Sequence, residues 1–295
     1  CFKLYRVRAG EPFNESGSPP LAQRLDAGNA AVWFASAAGP RATGEGLGAS
    51  FAVPFPGGVV LAVADGAESS LGARLAAVVA VRAFCRAAAA QPSTSPESAL
   101  RTAQGHLDVL LSALLSAGDA APALSRVRGG VPVANARRIL AHTRQPDPAL
   151  QRVPPALATS LVGAVALAAE GGLSVSVVRL GPGLVDVRSS GRVTPVLGAP
   201  RAGSTSFLAP GVRGAEEVGR FESTPPFRLS PGDAILLGTA ALAKGSSGAW
   251  AGLATLWPPF PDGLSRGDTA RDLLRRAERW GEAEPSLREV LAEAR

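Results

Sequence analysis

The chain has 295 residues and is 46% hydrophobic, which is enough for a sizeable core in one large domain. Its net charge is +6, but of the 30 basic residues only Lys3 and Lys244 are lysines, and few aromatic residues accompany the arginines, so nucleic acid is disfavoured as a partner. No apolar stretch reaches the roughly 20 residues of a membrane span and no apolar signal region opens the chain, so we expect a cytoplasmic protein without a membrane partner.

The first residue, the cysteines and the histidines bear on how the chain was processed and on disulfides and zinc. A chain that begins at Cys1 and has no Met is interpreted as trimmed or as a fragment. Cys85 lies in an apolar helical pattern and is expected in the core. Two cysteines and two distant histidines predict neither a disulfide framework nor a zinc site.

The first half of the chain predicts an irregular segment over 1–30, then strands, then two helices. Strand-like patterns follow in order at 31–39, 49–55 and 59–64. A long apolar periodic stretch predicts a mostly buried helix over 71–90. Pro96 and a broad leucine stripe predict a second helix over 97–117.

Residues 125–155 form an Arg-rich insertion with part of it helical, at 134–143. The segment contains six arginines, one acidic residue, Asp147, and no Glu. We interpret the segment as exposed, and the alternative is a flap or partner surface that binds anions. The arginines are Arg126, Arg128, Arg137, Arg138, Arg144 and Arg152.

The second half of the chain is predicted to consist mainly of short strands joined by tight turns. Hairpins are predicted around residues 171–172, around 190–191 and through the turn at 230–233. From residue 242 onward the composition predicts loop and then helices, at 269–280 and 286–295. This order predicts an α+β fold: a four-layer α/β sandwich of two packed antiparallel β-sheets flanked by helices, in one domain over 31–295.

Asp65 and Gly66 end the apolar run "VVLAVA" and precede the first predicted helix. An Asp-Gly pair at this place is a good turn, and the carboxylate can cap the positive end of a helix. A carboxylate at the mouth of a buried strand is also a suitable metal ligand. Both interpretations stay open at this point.

Four segments stand out along the chain: "GPRATGEG" at 39–46, "LAVADGAESSLGARLA" at 61–76, "ATSLVGAVALAAEGGLSVSVVRLGPGLVDVRSSGRVTPV" at 158–196 and "LSPGDAILLGTAALAKG" at 229–245. In this order they resemble the metal-dependent protein phosphatase family, type 2C (PPM). The resemblance implies hydrolysis of serine and threonine phosphomonoesters at a pair of Mg²⁺ or Mn²⁺ ions, which activate a water and hold the phosphoryl oxygens.

Position by position, the resemblance implies metal-side roles for Asp65, Gly66 and Glu45 and a phosphate-binding role for Arg41. It also exposes departures, because Gly46, Pro182 and Ala240 stand where the family has acidic residues of the metal site. The last metal ligand, expected after a helix like 286–295, does not occur before the final residue. We therefore name no catalytic residue.

Three hypotheses follow. The favoured one is a pseudophosphatase that keeps the fold and binds a phosphoprotein or a protein kinase, with Mg²⁺ or Mn²⁺ as cofactor if it has one. The second is an active Mn²⁺/Mg²⁺-dependent serine/threonine phosphatase, in which Asp186, Asp233 or Asp262 replaces the lost ligands. The third is an anion- or nucleic-acid-binding protein that uses the Arg-rich segment.

Overall fold

The computed structural model describes residues 23–26, 31–38, 48–67, 70–92, 95–116, 133–145, 149, 155–190, 192–197, 207–211, 220–239 and 250–257. The helices within these residues are α1 (Ala73–Ala90), α2 (Pro96–Ser116) and α3 (Val133–Arg144). The strands are β1 (Gln23–Asp26), β2 (Ala31–Ala38), β3 (Gly48–Phe55), β4 (Gly58–Gly66), β5 (Thr159–Ala169), β6 (Gly172–Leu180), β7 (Gly183–Ser189), β8 (Arg192–Pro195), β9 (Glu222–Ser223), β10 (Phe227–Leu229), β11 (Ala234–Thr239) and β12 (Trp250–Trp257).

Two antiparallel sheets organise these strands. Sheet I has the order β1-β2-β12-β11-β7-β8, and sheet II has the order β10-β6-β5-β4-β3 with β9 beside β6. Their packing confirms the predicted α+β sandwich. The helices predicted at 269–280 and 286–295, which would make the fourth layer, lie outside the described residues.

Strand β4 lies at the centre of the packing and is buried on both faces. Val59, Leu61 and Val63 pack toward sheet I, in a core that includes residues of β7 and β11. The alternate residues, Val60 and Ala62 among them, pack against the helices. An unbroken apolar run is what such a strand requires, because neighbouring side chains point to opposite faces and neither face meets water.

Helices α1 and α2 cover sheet II. The buried face of α1 is rich in alanine, and its large buried side chain, Phe84, is fully enclosed. The leucine stripe of α2 is also buried, with Leu100 and Leu107 at 0% exposure. Small side chains on α1 allow the helix to lie close to the sheet, whereas the leucines of α2 fill the space beside it. Among the described residues, no helix is long and apolar enough to cross a membrane.

Cys85 is buried in this helix-facing core, as its apolar surroundings in the sequence suggested. Burial raises the pKa of the Cys85 thiol well above its usual range. The thiol therefore stays protonated and packs as a small apolar group.

Strands β1 and β12 were not anticipated, and neither was the two-residue β9 beside β6. Residues 23–26, which composition placed in an irregular segment, pair with β2 as the edge strand β1. Residues 250–257, expected to be loop leading into helix, form β12 between β2 and β11. Both pairings join residues that are far apart in sequence or lack β-rich composition, so local propensity does not reveal them.

Two of the three predicted hairpins are confirmed and the third is wrong. The turns at 171–172 and at 190–191 do join antiparallel neighbours, β5 with β6 and β7 with β8. The hairpin predicted through residues 230–233 is wrong, because β10 pairs with β6 in sheet II and β11 pairs with β7 and β12 in sheet I. The turn is present, since the Ser230 amide donates to Asp233 Oδ2 at 2.8 Å, but it carries the chain from one sheet to the other.

Substitution of Gly163 tests how closely α1 packs on β5. A Cβ atom at Gly163 would lie 2.3 Å from Cε1 of the enclosed Phe84 ring. We expect Gly163→Ala to lower the free energy of unfolding by about 1–3 kcal/mol, measured by urea denaturation. The matched control is Gly105→Ala on the exposed side of α2, where a Cβ meets no atom within 4 Å. The control should be about 0.5–1 kcal/mol more stable than wild type, and equal denaturation midpoints for the two variants would contradict the packing.

Candidate functional site at one end of the sandwich

The ends of four strands of sheet II meet at one end of the sandwich. Gly48, the first residue of β3, pairs with Asp65 near the end of β4. Asp65 also pairs with Ser160 at the start of β5. The next residue, Leu161, pairs with Leu180, the last residue of β6.

Sheet I ends at the same place. A turn at residues 181–182 leads from the end of β6 to Gly183, the first residue of β7, which pairs with Thr239 at the end of β11. Trp250, the first residue of β12, pairs with Ala38, the last residue of β2. A Cβ added at Gly183 would lie 2.4 Å from Val162 Cγ2 of β5, which shows how closely the sheets approach here.

The inter-sheet core changes from apolar to polar at this end. Along β4, Val59, Leu61 and Val63 face sheet I, and side-chain alternation puts Asp65 on the same face. In β5, β6 and β11 the apolar residues of the inter-sheet face are likewise followed, at the next position on that face, by a polar residue. We call this end of the sandwich the polar end, and the side chains that mark it are Asp65, Ser160, Arg179 and Thr239.

Burial in the polar end is nearly complete. Ser160 and Thr239 are 1% exposed and Arg179 is 2% exposed, while Asp65 is half-buried. The Ser160 hydroxyl donates to the backbone oxygen of Asp65 at 3.3 Å. Polar side chains placed this deep must be held by partners, so their arrangement is part of the fold.

The helix-capping interpretation of Asp65 is wrong. Strand β4 continues to Gly66, and α1 begins only at Ala73 after an N-cap at Gly72, which has a positive φ of 72° and no side-chain cap. Six residues separate the Asp-Gly pair from the helix, so the Asp65 carboxylate does not cap it. Asp65 is a strand-end residue that faces the inter-sheet space.

Gly66, predicted to assist a metal through its carbonyl, has a packing reason to be glycine. A Cβ on Gly66 would lie 2.5 Å from the backbone carbonyl carbon of Ala73. The end of β4 and the start of α1 therefore approach closely, and a side chain would force them apart.

The segment between β4 and α1 is tied to the approach of β5. Ser70, 1% exposed, donates its hydroxyl to the Pro155 carbonyl at 2.7 Å and accepts from the Ala158 amide at 2.9 Å. The amide of Leu157 donates to the Leu71 carbonyl at 2.8 Å. These bonds fix the ends of β4 and β5 relative to each other.

Arg179 was not singled out in the sequence. Its Nη1 donates to the Gly183 carbonyl at 3.2 Å, and its Nη2 forms an ion pair with Glu222 of β9. The signal was present in "LSVSVVRL", where the residues at 173, 175 and 177 form the apolar face and Arg179 holds the next position on that face. A charged residue at an inward position of an alternating strand marks a special environment.

Several predicted site residues lie outside the described residues. These are Arg41, Glu45, Gly46, Ala240 and Asp262. The described residues that flank them, Ala38 and Gly48 on one side and Thr239 on the other, lie at the polar end. Pro182 is described and stands in the turn between β6 and β7, at the same end.

Two of the three proposed substitute ligands are placed away from the polar end. Asp186 is buried in the middle of β7. Its neighbours Val185 and Val187 face the inter-sheet core, so Asp186 lies on the opposite face of the strand. Asp233 precedes β11, at the opposite end of that strand from Thr239, and accepts the Ser230 amide within its turn. Neither carboxylate can join Asp65, so substitution by Asp186 or Asp233 is wrong.

The Arg-rich segment is helical where the sequence predicted it, in α3. Arg137, Arg138 and Arg144 are exposed, while Ala136 and Leu140 are buried toward the core. The anion-binding alternative stays a prediction.

The described residues do not fit a two-metal centre. Divalent hard cations bind through carboxylates, carbonyls and water, and a pair of them requires several carboxylates. The polar end supplies the carboxylate of Asp65, two hydroxyls and a guanidinium. In the part of the chain that the structure describes, no three His, Cys, Asp or Glu side chains are grouped to hold a metal ion.

Two packed antiparallel sheets, a helical layer and a strand-end carboxylate between the sheets agree with the fold implied by the sequence resemblance. A family model described as protein phosphatase 2C matches residues 49–237, well over half of the chain. The chain therefore belongs to the protein phosphatase 2C family. No curated protein matches the chain.

Several solved structures are similar to the chain at low sequence identity. PppA, a key regulatory component of T6SS in Pseudomonas aeruginosa, is 15% identical with a TM-score of 0.50, and the alignment covers 79% of this chain and 99% of PppA. RsbX in complex with magnesium is 9% identical with a TM-score of 0.48, covering 81% and 100%. The Mycobacterium tuberculosis serine/threonine phosphatase PstP/Ppp is 11% identical with a TM-score of 0.47, covering 78% and 99%.

Removal of the Ser70 hydroxyl tests the junction beside Asp65. In Ser70→Ala the buried Ala158 amide loses its acceptor, so we expect the free energy of unfolding to fall by about 1–3 kcal/mol, with faster hydrogen exchange at Ala158. Ser116→Ala is the control, because its exposed hydroxyl donates only within α2. The control should stay within about 0.5 kcal/mol of wild type. Equal losses in both variants would contradict the role of Ser70.

Proposed function

We propose that this member of the protein phosphatase 2C family is a pseudophosphatase that binds a phosphoprotein or a protein kinase and does not hydrolyse phosphomonoesters. The observation that carries the proposal is the donor set of the polar end. Among the described strand ends that meet there, Asp65 supplies the carboxylate. Pro182 stands in the turn between β6 and β7, and the sequence resemblance implies an acidic residue at that position.

Charge supports the same conclusion. Two divalent cations held close together repel each other strongly unless carboxylates offset their charge. Here the guanidinium of Arg179 lies in the inter-sheet layer at the same end, and its partner Glu222 is already engaged with it. Among the described residues at this end, Asp65, Glu222 and Arg179 together carry a net charge of −1, which is too little to offset a pair of divalent cations.

The binding role is proposed for the segment 39–47, which lies outside the described residues. The described strands before and after it end and begin at the polar end, at Ala38 and Gly48. Arg41 and Glu45 belong to this segment. We propose that Arg41 contacts the phosphate of a partner, since a planar guanidinium can donate two parallel hydrogen bonds to phosphate oxygens. A regulatory role agrees with the description of PppA, which shares the fold.

An activity assay separates the pseudophosphatase from an active enzyme. We expect the purified chain to give no turnover of p-nitrophenyl phosphate or a phosphothreonine peptide above background, with Mn²⁺ or with Mg²⁺, because the donor set cannot hold two metals. Asp65→Asn is assayed beside it and should behave identically. Metal-dependent turnover in wild type that is lost in Asp65→Asn would sink the proposal and establish an active phosphatase.

A binding assay tests the phosphate contact. Fluorescence polarisation with a phosphothreonine peptide and its unphosphorylated form should show preference for the phosphorylated peptide. Arg41→Ala should weaken that binding by about 1.5–3 kcal/mol, roughly ten- to a hundredfold, since a charged hydrogen bond is lost. The control is Arg101→Ala, an exposed arginine of α2 paired with Glu97 four residues earlier, which should bind as wild type does. Equal affinity for the two peptides in wild type argues against phosphate recognition.

A further inference from the structure

Arg179 is placed where an uncompensated charge would be costly. Its side chain is 2% exposed and belongs to the inter-sheet face of β6, next along that face from the apolar Val177. Removing a guanidinium from water is unfavourable unless an anion and hydrogen-bond acceptors replace the water. The contacts of Arg179 supply both.

These contacts join three segments of the chain. Nη2 binds the carboxylate of Glu222, which lies opposite Arg179 in the β6–β9 pair of sheet II. Nη1 donates to the carbonyl of Gly183, the first residue of β7 in sheet I. One side chain therefore connects the two sheets at the polar end, and it holds the turn that contains Pro182.

The guanidinium of Arg179 brings a positive charge into the polar end. Glu222 offsets that charge from the solvent side, because its own side chain is 43% exposed. A protein with this arrangement has a cation of its own at the end of the sandwich where the family binds metal ions.

We propose that Arg179 is the internal cation of this domain: it supplies the positive charge that holds the ends of the two sheets together, so that the domain folds and stays closed without a divalent metal. The inference concerns the fold and does not rest on the proposed partner binding. It also predicts that Arg179 opposes metal binding, even where an acidic ligand is restored at position 182.

The first experiment is thermal unfolding of the full chain in EDTA, in Mg²⁺ and in Mn²⁺. We expect the Tm of wild type to differ by less than about 1 °C among the three conditions, since no metal contributes to the folded state. Arg179→Met should lower the Tm by about 5 °C or more, because the connection between the sheets is lost. A wild-type Tm that rises with Mn²⁺ or Mg²⁺ by several degrees overturns the proposal.

Arg188→Met is the matched control. Arg188 also donates to a glycine carbonyl, that of Gly232, at 2.8 Å, but it lies at the other end of β7. We expect a smaller loss of Tm than in Arg179→Met. Equal losses in the two variants would mean that Arg179 is an ordinary structural arginine, and the proposal fails.

The second experiment separates the charge from the packing of the side chain. Pro182→Asp restores an acidic ligand, and its Mn²⁺ affinity is measured by calorimetry with Arg179 present and in the double variant Arg179→Met/Pro182→Asp. We expect Mn²⁺ to bind at least tenfold more tightly to the double variant, because the positive charge of Arg179 has been removed from this end of the sandwich. Equal Mn²⁺ affinity in the two variants overturns the proposal.

Glu222→Gln keeps the test informative if the Arg179 variants do not fold. This change removes the ion pair but leaves the guanidinium, and the exposed position of Glu222 permits the substitution. We expect a lower Tm in Glu222→Gln that Mn²⁺ does not restore, because the cation is still present. Recovery of the Tm by Mn²⁺ in this variant would show that metal, and not Arg179, completes the polar end.

Discussion

Strand β4 has no face that can meet water, and the described structure is arranged to satisfy that constraint. One face must be covered by helices and the other by a second sheet, because an apolar strand exposed on either side loses its driving force for burial. The helix-facing core includes alanines of α1 and leucines of α2, and the opposite core includes residues of β7 and β11. The sandwich of the protein phosphatase 2C family is the result.

The same constraint creates the candidate site. A central strand that is covered on both sides must end somewhere, and at its end the inter-sheet core is replaced by Asp65, Ser160, Arg179 and Thr239. In a buried layer each polar group needs a partner, so the identity of one residue decides what its neighbours can do. With Pro182 in the turn and Arg179 bound to Glu222, the layer is suited to a protein-held cation and not to a pair of metal ions.

Strands and helices with strong periodicity were predictable, because the pattern reports burial directly. The apolar run of β4, the helices α1 and α2 and the turns at 171–172 and 190–191 all follow from local sequence. The turn at 230–233 was read correctly as a reversal but wrongly as a hairpin, since turn chemistry does not state which strand pairs with which. Strand β12 was missed because one of its two partners, β2, comes from a distant part of the chain, so local sequence does not report that pairing.

The sequence by itself determined the family and the central buried strand, and it predicts that Gly46, Pro182 and Ala240 replace acidic residues, since residue types at given spacings are local facts. Only the tertiary structure decided that Asp65 is a strand-end residue and not a helix cap, that Asp186 and Asp233 lie away from it, and that Arg179 joins the two sheets. These outcomes depend on sheet membership and register, which long-range burial sets and which no local pattern contains.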